Sequence, residues 1–245
     1  MGPGEGPPRH SPAPRVYPHG DASAFANGYH SRMYSFPADI YTEPEHVDPD
    51  TLVNLGPLAP LAGVFVGEEG ADEHPAVDGV EKDRFVERVE LQPIDPQTNG
   101  PQLFYGLRYH VHIVKPGEVE TFHDQVGYWL WEPATGTVAQ TIAIPRGQVV
   151  LASGTAAPDA SEFELAARLG DESSGICSNP FLQHAFRTVE FRIRITVHSR
   201  ERWSYDEDTV MAVQGQSELF HHRDRNTLRR IGEPTPNPTA PRPKR

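Results

Sequence analysis

Apolar and polar residues alternate along two long stretches of this chain, and this period of two is the strongest constraint on its fold. Between Leu103 and Ile113 every odd-numbered residue is apolar, whereas the even-numbered residues are mostly polar. The same alternation runs from Val189 to Val197. Successive side chains of a β-strand point to opposite faces, so each stretch predicts a strand with one buried and one solvated face.

Further strand-type runs are separated by turn signals along the middle of the chain. They lie near Phe85–Leu91, Thr137–Ile144, Gln148–Gly154, Phe163–Leu169, Trp203–Val213 and Leu219–Ile231. Lys115–Gly117 and Pro133–Gly136 are typical of hairpin turns, so consecutive strands are expected to pair. Asn179–His184 is expected to be a short helix or a loop. An antiparallel sheet of about ten strands avoids exposed edges by closing, which predicts an all-β, up-and-down antiparallel β-barrel.

The two ends of the chain differ from this middle in composition. Residues 1–22 are rich in proline, glycine and charged residues and are expected to form a disordered arm. Residues 23–50 are interpreted as an extension whose aromatic side chains lie against the barrel or cover one of its mouths. The barrel itself is assigned to residues 51–232, and residues 233–245 to a proline-rich, basic tail.

Charge and cysteine content exclude several classes of function. The formal net charge of -12 opposes binding to a phosphate backbone, so no nucleic-acid partner is expected. The single cysteine, Cys177, excludes an intramolecular disulfide and a cysteine-based zinc or iron–sulfur site. No apolar run approaches the length of a membrane span, and the first residues lack a signal-peptide pattern. We therefore expect a cytoplasmic protein without a membrane partner.

The start of the predicted barrel has a distinctive pattern between Leu52 and Gly67. Two leucine-rich turns are broken by glycine and proline, and a strand follows in which Gly63 and Gly67 allow close approach of backbone or ligand. Together with the strands that follow, this pattern resembles the nitrobindin family, over roughly Leu52 to Ile231. Nitrobindins are heme-binding relatives of the fatty-acid-binding-protein barrels.

The resemblance implies a heme b site and identifies candidate cofactor-binding residues. The family motif Gly-x-Trp-x-Gly-x-Gly corresponds to the segment Gly63-Val-Phe-Val-Gly-Glu-Glu69. The implied cofactor-binding residues are Gly63, Phe65 and Gly67. Phe65 stands in the tryptophan position, and Glu69 stands where the family has its third glycine.

In this family a histidine on the last strand ligates the heme iron, and three residues compete for that position here. Counting forward from the preceding strand points to His221. Strand parity with Phe220 points instead to His222. Counting back from Leu228 places Arg223 there, which would leave no axial ligand.

A second group of histidines has the spacing of a metal site but is interpreted differently. His110 and His112 share one strand face, and His123 and Asp124 follow across the hairpin. Because this face lies opposite the apolar one, we interpret them as exposed strand histidines rather than zinc ligands.

Three functions remain open at this level, and no catalytic residue is assigned. The first is a binding module for a small hydrophobic or heme-type ligand held in the barrel. The second, implied by the resemblance to ferric nitrobindin-like proteins, is a peroxynitrite isomerase that converts peroxynitrite to nitrate. The third is an interaction scaffold. Oligomeric state is left open.

Overall fold

The computed structural model describes residues 37–77 and 79–236. The predicted disordered arm at 1–22, residues 23–36 of the predicted extension and residues 237–245 of the predicted basic tail lie outside this part. Within it, most of the rest of the extension is exposed, with Tyr41 at 85% of its full accessibility.

The elements follow the order that the strand-type runs indicate. The helices are α1 (Thr51–Asn54) and α2 (Pro180–Ala185), with a 3₁₀ helix at Gly56–Leu61. The strands are β1 (Gly63–Ala76), β2 (Gly79–Pro93), β3 (Gln97–Asn99), β4 (Gln102–Val114), β5 (Thr121–Glu132), β6 (Thr137–Ile144), β7 (Gln148–Thr155), β8 (Glu162–Arg168), β9 (Ile176–Ser178), β10 (Phe186–Ser199), β11 (Arg202–Val213) and β12 (Phe220–Gly232).

Ten of these strands form a closed antiparallel barrel. Their order is β2-β1-β12-β11-β10-β8-β7-β6-β5-β4, and pairing of β2 with β4 closes the ring. The two shortest strands are additions, β3 on β4 and β9 on β7. The prediction of an all-β, ten-stranded up-and-down barrel is confirmed.

The alternation in the sequence corresponds to the two faces of the barrel wall. On β4, Tyr105, Leu107 and Tyr109 are buried, whereas Arg108 and His110 between and beside them are exposed. The helix expected near residues 179–184 is α2, which begins after an asparagine whose side chain accepts a hydrogen bond from the Leu182 backbone at 3.0 Å.

A short helical plug closes one end of the barrel. Leu55, Leu58 and Leu61 come from the leucine-rich turns before β1, and each has no exposed surface. They belong to the same buried cluster as Trp131, at the end of β5. The leucine-rich turns before β1 therefore contribute to the core.

β1 contains a one-residue bulge that the sequence did not predict. Gly67 pairs with Glu87, but Gly70 rather than Glu69 pairs with Phe85, so one extra residue is accommodated at Glu68–Glu69. A Cβ on Gly70 would lie 2.2 Å from the Phe85 ring. A glycine is therefore present at the inward ladder position after all, one residue later than the aligned motif places it.

No helix in residues 37–77 or 79–236 combines the length and the apolar character needed to cross a membrane.

Candidate functional site: the barrel cavity

The barrel encloses a cavity of about 420 Å³. Its rim lies at the end opposite the plug, where Arg146, Leu182 and Phe186 line it. The volume falls within the range of about 300–1,000 Å³ that is usual for small-molecule sites. A larger depression of about 810 Å³ includes Tyr128, Val149 and other outward-facing residues, so it is a surface groove rather than an enclosed site.

Most of the cavity wall is apolar. The buried aliphatic and aromatic side chains that line it come from several strands: Phe85, Val89, Val111, Ile113, Trp129, Ile142, Val150, Phe191 and Ile193. Inward-facing and outward-facing residues alternate along each strand, and the inward-facing ones are mostly apolar here. Such a wall favours a ligand with an apolar body.

Two polar atoms in this wall lack a hydrogen-bond partner among the described residues. They are Oε1 of Gln140, an acceptor, and Nε1 of Trp203, a donor. Both residues are at least 96% buried and both line the cavity. Leaving a buried polar group unsatisfied costs about 1–3 kcal/mol, so these atoms favour an occupant with complementary polar groups.

Imidazole and carboxylate side chains meet at a different part of the wall, around Asp72. Nε2 of His222 lies 2.7 Å from Oδ1 of Asp72 and 3.3 Å from Oδ2 of Asp224. Nδ1 of His74 bonds the second oxygen of Asp72. Asp72 on β1 and Asp224 on β12 are direct cross-strand partners, which is why these groups converge. We call Asp72, His74, His222 and Asp224 the polar cluster.

The acids of this region have strongly perturbed pKa values. Burial opposes ionisation of Asp72, but hydrogen bonds from His222, Asp224 and His74 outweigh it and lower the pKa of Asp72. Burial and the charge of Glu207 raise the pKa of Asp224 well above its usual value. Burial, with repulsion from Glu87, raises the pKa of Glu207 to about 8. Ionisation is therefore favoured at Asp72 and disfavoured at the neighbouring Asp224 and Glu207.

Glu87 lies deeper in the barrel and is almost fully buried. Its carboxylate accepts hydrogen bonds from the Tyr205 hydroxyl at 2.9 Å and from Nδ2 of Asn226 at 3.0 Å. Burial raises the pKa of Glu87 to about 7, although both hydrogen bonds act in the opposite direction. The cavity thus contains a second acid that titrates near neutrality.

Strand parity on β12 separates the three candidates for the axial position. His222 faces the cavity, whereas His221 and Arg223 are exposed on the outer face. Nδ1 of His221 lies 2.8 Å from the outward-facing Asp208. The count that favoured His221 is therefore corrected by the alternation of the strand, and a ligand role for His222 stays a prediction.

Gly63, Phe65 and Gly67 lie outside the cavity lining. A Cβ on Gly63 would lie 2.3 Å from Nη1 of Arg230, and one on Gly67 would lie 2.4 Å from Nδ2 of Asn226. Phe65 is fully buried, with the guanidinium of Arg230 4.7 Å from its ring centre. The expected close approach therefore exists, and side chains of β12 make it; cofactor binding by these residues stays a prediction.

The second histidine group divides between the two faces. His110 is exposed and pairs with Asp124 at 2.8 Å, and Nε2 of His112 lies 3.1 Å from the Thr121 hydroxyl. His123 differs from the expectation, because it lines the cavity and bonds Gln125 at 3.1 Å. Burial lowers the pKa of His123. His123 pairs directly with the inward-facing Ile113 of β4, next to a register shift between β4 and β5.

Sequence reasoning missed three of the four residues of the polar cluster. Asp72 and His74 are two residues apart, as are His222 and Asp224, so each pair shares a strand face. That spacing was a usable signal for each pair. Their meeting depends on the register of β1 against β12, which local sequence does not encode.

Comparison with known proteins agrees with this architecture. The model of the family described as "THAP4-like, heme-binding beta-barrel domain" matches residues 54–230. Among solved structures, the crystal structure of Rv2717c from M. tuberculosis superposes with a TM-score of 0.54 at 22% identity. The alignment covers 74% of this chain and 98% of that chain, and at this identity it supports the fold alone. No curated protein sequence matches the chain. Because the family model spans nearly the whole barrel, the chain belongs to the nitrobindin family of THAP4-like, heme-binding β-barrel domains.

Proposed function

We propose that this protein binds one small ligand, with an apolar body and at least one polar group, inside the barrel. The observation that carries the proposal is the cavity of about 420 Å³, whose apolar wall contains the polar atoms of Gln140 and Trp203 that no group in the described part of the chain satisfies. A ligand that donates to Gln140 and accepts from Trp203 satisfies both.

The magnitudes show why the polar atoms matter. Burial of about 300 Å² of apolar ligand surface contributes about 7 kcal/mol. Association costs about 4–15 kcal/mol, so apolar burial alone gives weak binding at best. Specificity is therefore expected to come from the polar contacts.

Displacement of an apolar fluorophore from the purified full chain tests this proposal. Val150 faces the cavity and Val149, its neighbour on β7, is half exposed on the outside. Val150→Trp is expected to abolish saturable fluorophore binding, whereas Val149→Trp is expected to leave it unchanged. Equal binding by both variants, with both folded by circular dichroism, would place the fluorophore outside the barrel and overturn the proposal.

Heme is the ligand after which the family is described, but the polar cluster does not fit a porphyrin iron as it is folded. A histidine that ligates a metal offers one ring nitrogen to the metal and usually donates its other N–H to a carboxylate or carbonyl. Here two carboxylates flank the ring nitrogen of His222 that would face the iron, because Nε2 lies 2.7 Å from Oδ1 of Asp72 and 3.3 Å from Oδ2 of Asp224. Two carboxylates so close to one imidazole also differ from the single axial donor that heme iron requires on one face.

Heme binding is nevertheless the second candidate, because His222 is the histidine of the last strand that faces the cavity. Titration with ferric heme, followed by the Soret band, decides it. A saturable shift lost in His222→Ala but kept in His221→Ala would establish His222 as the ligand and justify assays of peroxynitrite isomerisation. Absence of a shift in the wild-type protein would remove both heme binding and the isomerase activity that depends on it.

A further inference from the structure

Three donor atoms of the polar cluster converge on one small volume at the cavity wall. They are a carboxylate oxygen of Asp72, a ring nitrogen of His222 and a carboxylate oxygen of Asp224, and all lie within 4.8 Å of one another. Each side chain lines the cavity. The convergence is a property of two directly paired strands and therefore of the rigid barrel wall.

Their spacing is close to that of a metal coordination shell. Zinc binds imidazole nitrogen and carboxylate oxygen at about 2.0–2.2 Å, so two ligand atoms of a tetrahedral site lie about 3.3 Å apart. Nε2 of His222 lies 3.3 Å from Oδ2 of Asp224 and 2.7 Å from Oδ1 of Asp72. The His222–Asp224 separation already matches this value, and the His222–Asp72 separation would have to open by about 0.6 Å, from 2.7 Å to about 3.3 Å.

The surroundings favour a cation. Glu87 and Glu207 also line the cavity, so four acidic side chains face it. Among the described lining residues, Arg146 at the rim is the one that carries a guanidinium or ammonium group, and its Nη2 donates to a backbone carbonyl at 3.0 Å. A bound divalent ion would offset the negative charge that four carboxylates concentrate in the cavity.

His74 makes a hydrogen bond of the kind that usually supports a metal-ligating carboxylate from outside the coordination shell. Its Nδ1 bonds Oδ2 of Asp72, the oxygen that does not face His222. An outer hydrogen bond of this kind fixes the orientation of a ligating carboxylate and typically changes metal affinity by about 10–100-fold.

We propose that Asp72, His222 and Asp224 bind a divalent transition-metal ion of the Zn²⁺ type, with at least one coordination position open to the cavity. One imidazole and two carboxylates suit such an ion, and three protein ligands with an open position are typical of zinc sites that bind a further ligand. Imidazole and carboxylate ligands bind an ion in their deprotonated forms, so any proton that they carry passes to solvent on binding. All the ligands named for the ion are protein side chains, so this proposal does not depend on the small ligand proposed above.

Calorimetric titration of chelator-treated full-length protein with Zn²⁺ alone tests the site. The expected result is one saturable equivalent in the wild type and none in His222→Ala. His221→Ala is the matched control, because it removes an outward-facing histidine of the same strand, whose partner is Asp208 on β11. Binding that survives His222→Ala, or no saturable binding to the wild type, would overturn the proposal.

Conservative variants keep the test valid if His222→Ala folds poorly. Asp224→Asn preserves shape and is expected to abolish the same equivalent of Zn²⁺. His74→Asn, which retains a donor near Asp72, is expected to bind about 10–100-fold more tightly than His74→Leu. If Asp224→Asn is folded and binds Zn²⁺ like the wild type, the assignment is wrong. The fluorophore assay is run on metal-free protein, so failure of one proposal is distinguishable from failure of the other.

Discussion

Nε2 of His222 lies 2.7 Å from Oδ1 of Asp72, although 150 positions separate the two residues in the chain. They meet because the first and last strands of the barrel are neighbours in the sheet. The polar cluster therefore forms only when β1 has paired with β12. This single contact links the folding of the barrel to the chemistry of its cavity.

Glu87→Gln is expected to change how stability depends on pH. Burial favours the neutral acid in the folded protein and raises the pKa of Glu87 from 4.5 to about 7, against the hydrogen bonds from Asn226 and Tyr205. Between those values the folded state binds more protons than the unfolded state, so the free energy of unfolding falls as pH rises. A shift of this size corresponds to about 3 kcal/mol, lost between about pH 4.5 and pH 7.

Glutamine retains an acceptor oxygen but cannot ionise, so the variant should lose less stability across this window than the wild type. Urea unfolding at pH 5 and pH 8 measures the difference. Glu68→Gln, at the exposed bulge, is the control and should follow the wild-type curve. Parallel curves for wild type and Glu87→Gln would contradict the assigned shift.

Gly67→Ala is expected to destabilise the barrel. The new Cβ would lie 2.4 Å from Nδ2 of Asn226, so Asn226 must move and its hydrogen bond to Glu87 is weakened or lost. Forced repacking of this kind costs about 1–3 kcal/mol. Chemical denaturation compares it with Gly232→Ala, where the nearest atom of Val64 is 3.3 Å away and a smaller effect is expected. Equal losses in the two variants would refute the packing argument.

Leu58→Ala tests the plug at the closed end of the barrel. Leu58 is fully buried, so truncation removes apolar contacts and leaves a cavity, at a cost of about 2–5 kcal/mol. Val53→Ala in the preceding helix is the control, because Val53 is 70% exposed. Thermal unfolding should show a much lower midpoint for Leu58→Ala alone. A loss below about 1 kcal/mol would mean that the plug contributes little to the core.

Arg230→Lys tests how the plug is held against β12. The guanidinium donates to the carbonyls of Ala62, Pro60 and Arg200, the latter two at 3.0 Å and 2.8 Å, and lies over the Phe65 ring. A lysine keeps the charge but cannot make this set of bonds, and the expected loss is about 2–4 kcal/mol.

The adjacent Arg229→Lys is the control, since Arg229 is exposed. It should change the unfolding free energy by less than about 0.5 kcal/mol. If the two lysine variants had equal free energies of unfolding, the contacts of Arg230 would make no net contribution to stability.

Much of the fold was predictable because it depends on local periodicity. The inward and outward positions of β4 follow from alternation between Leu103 and Ile113, and the turn at Lys115–Gly117 follows from its residue types. The bulge at Glu68–Glu69 was not predictable, because nothing local distinguishes a bulged residue from a regular one. That single insertion changed which glycine occupies the inward position.

The candidate site was predictable only in part. Parity with Phe220 indicated that His222 faces inward, and the structure places it there. Counting from a neighbouring strand pointed to His221, and such counts fail wherever a loop or bulge changes length. The unpartnered atoms of Gln140 and Trp203 were invisible in sequence, because satisfaction of a hydrogen bond depends on all surrounding strands.

The sequence by itself determined the class of fold, the approximate number of strands and the apolar face of each, because these follow from residue order within a strand. Only the tertiary structure decided that Asp72 and Asp224 are cross-strand partners and that His222 reaches both. Register between strands far apart in sequence depends on the closure of the whole sheet, and a slip of one residue would turn the same side chains to the outside. Local periodicity therefore predicts the barrel, whereas the polar cluster depends on the pairing of β1 with β12.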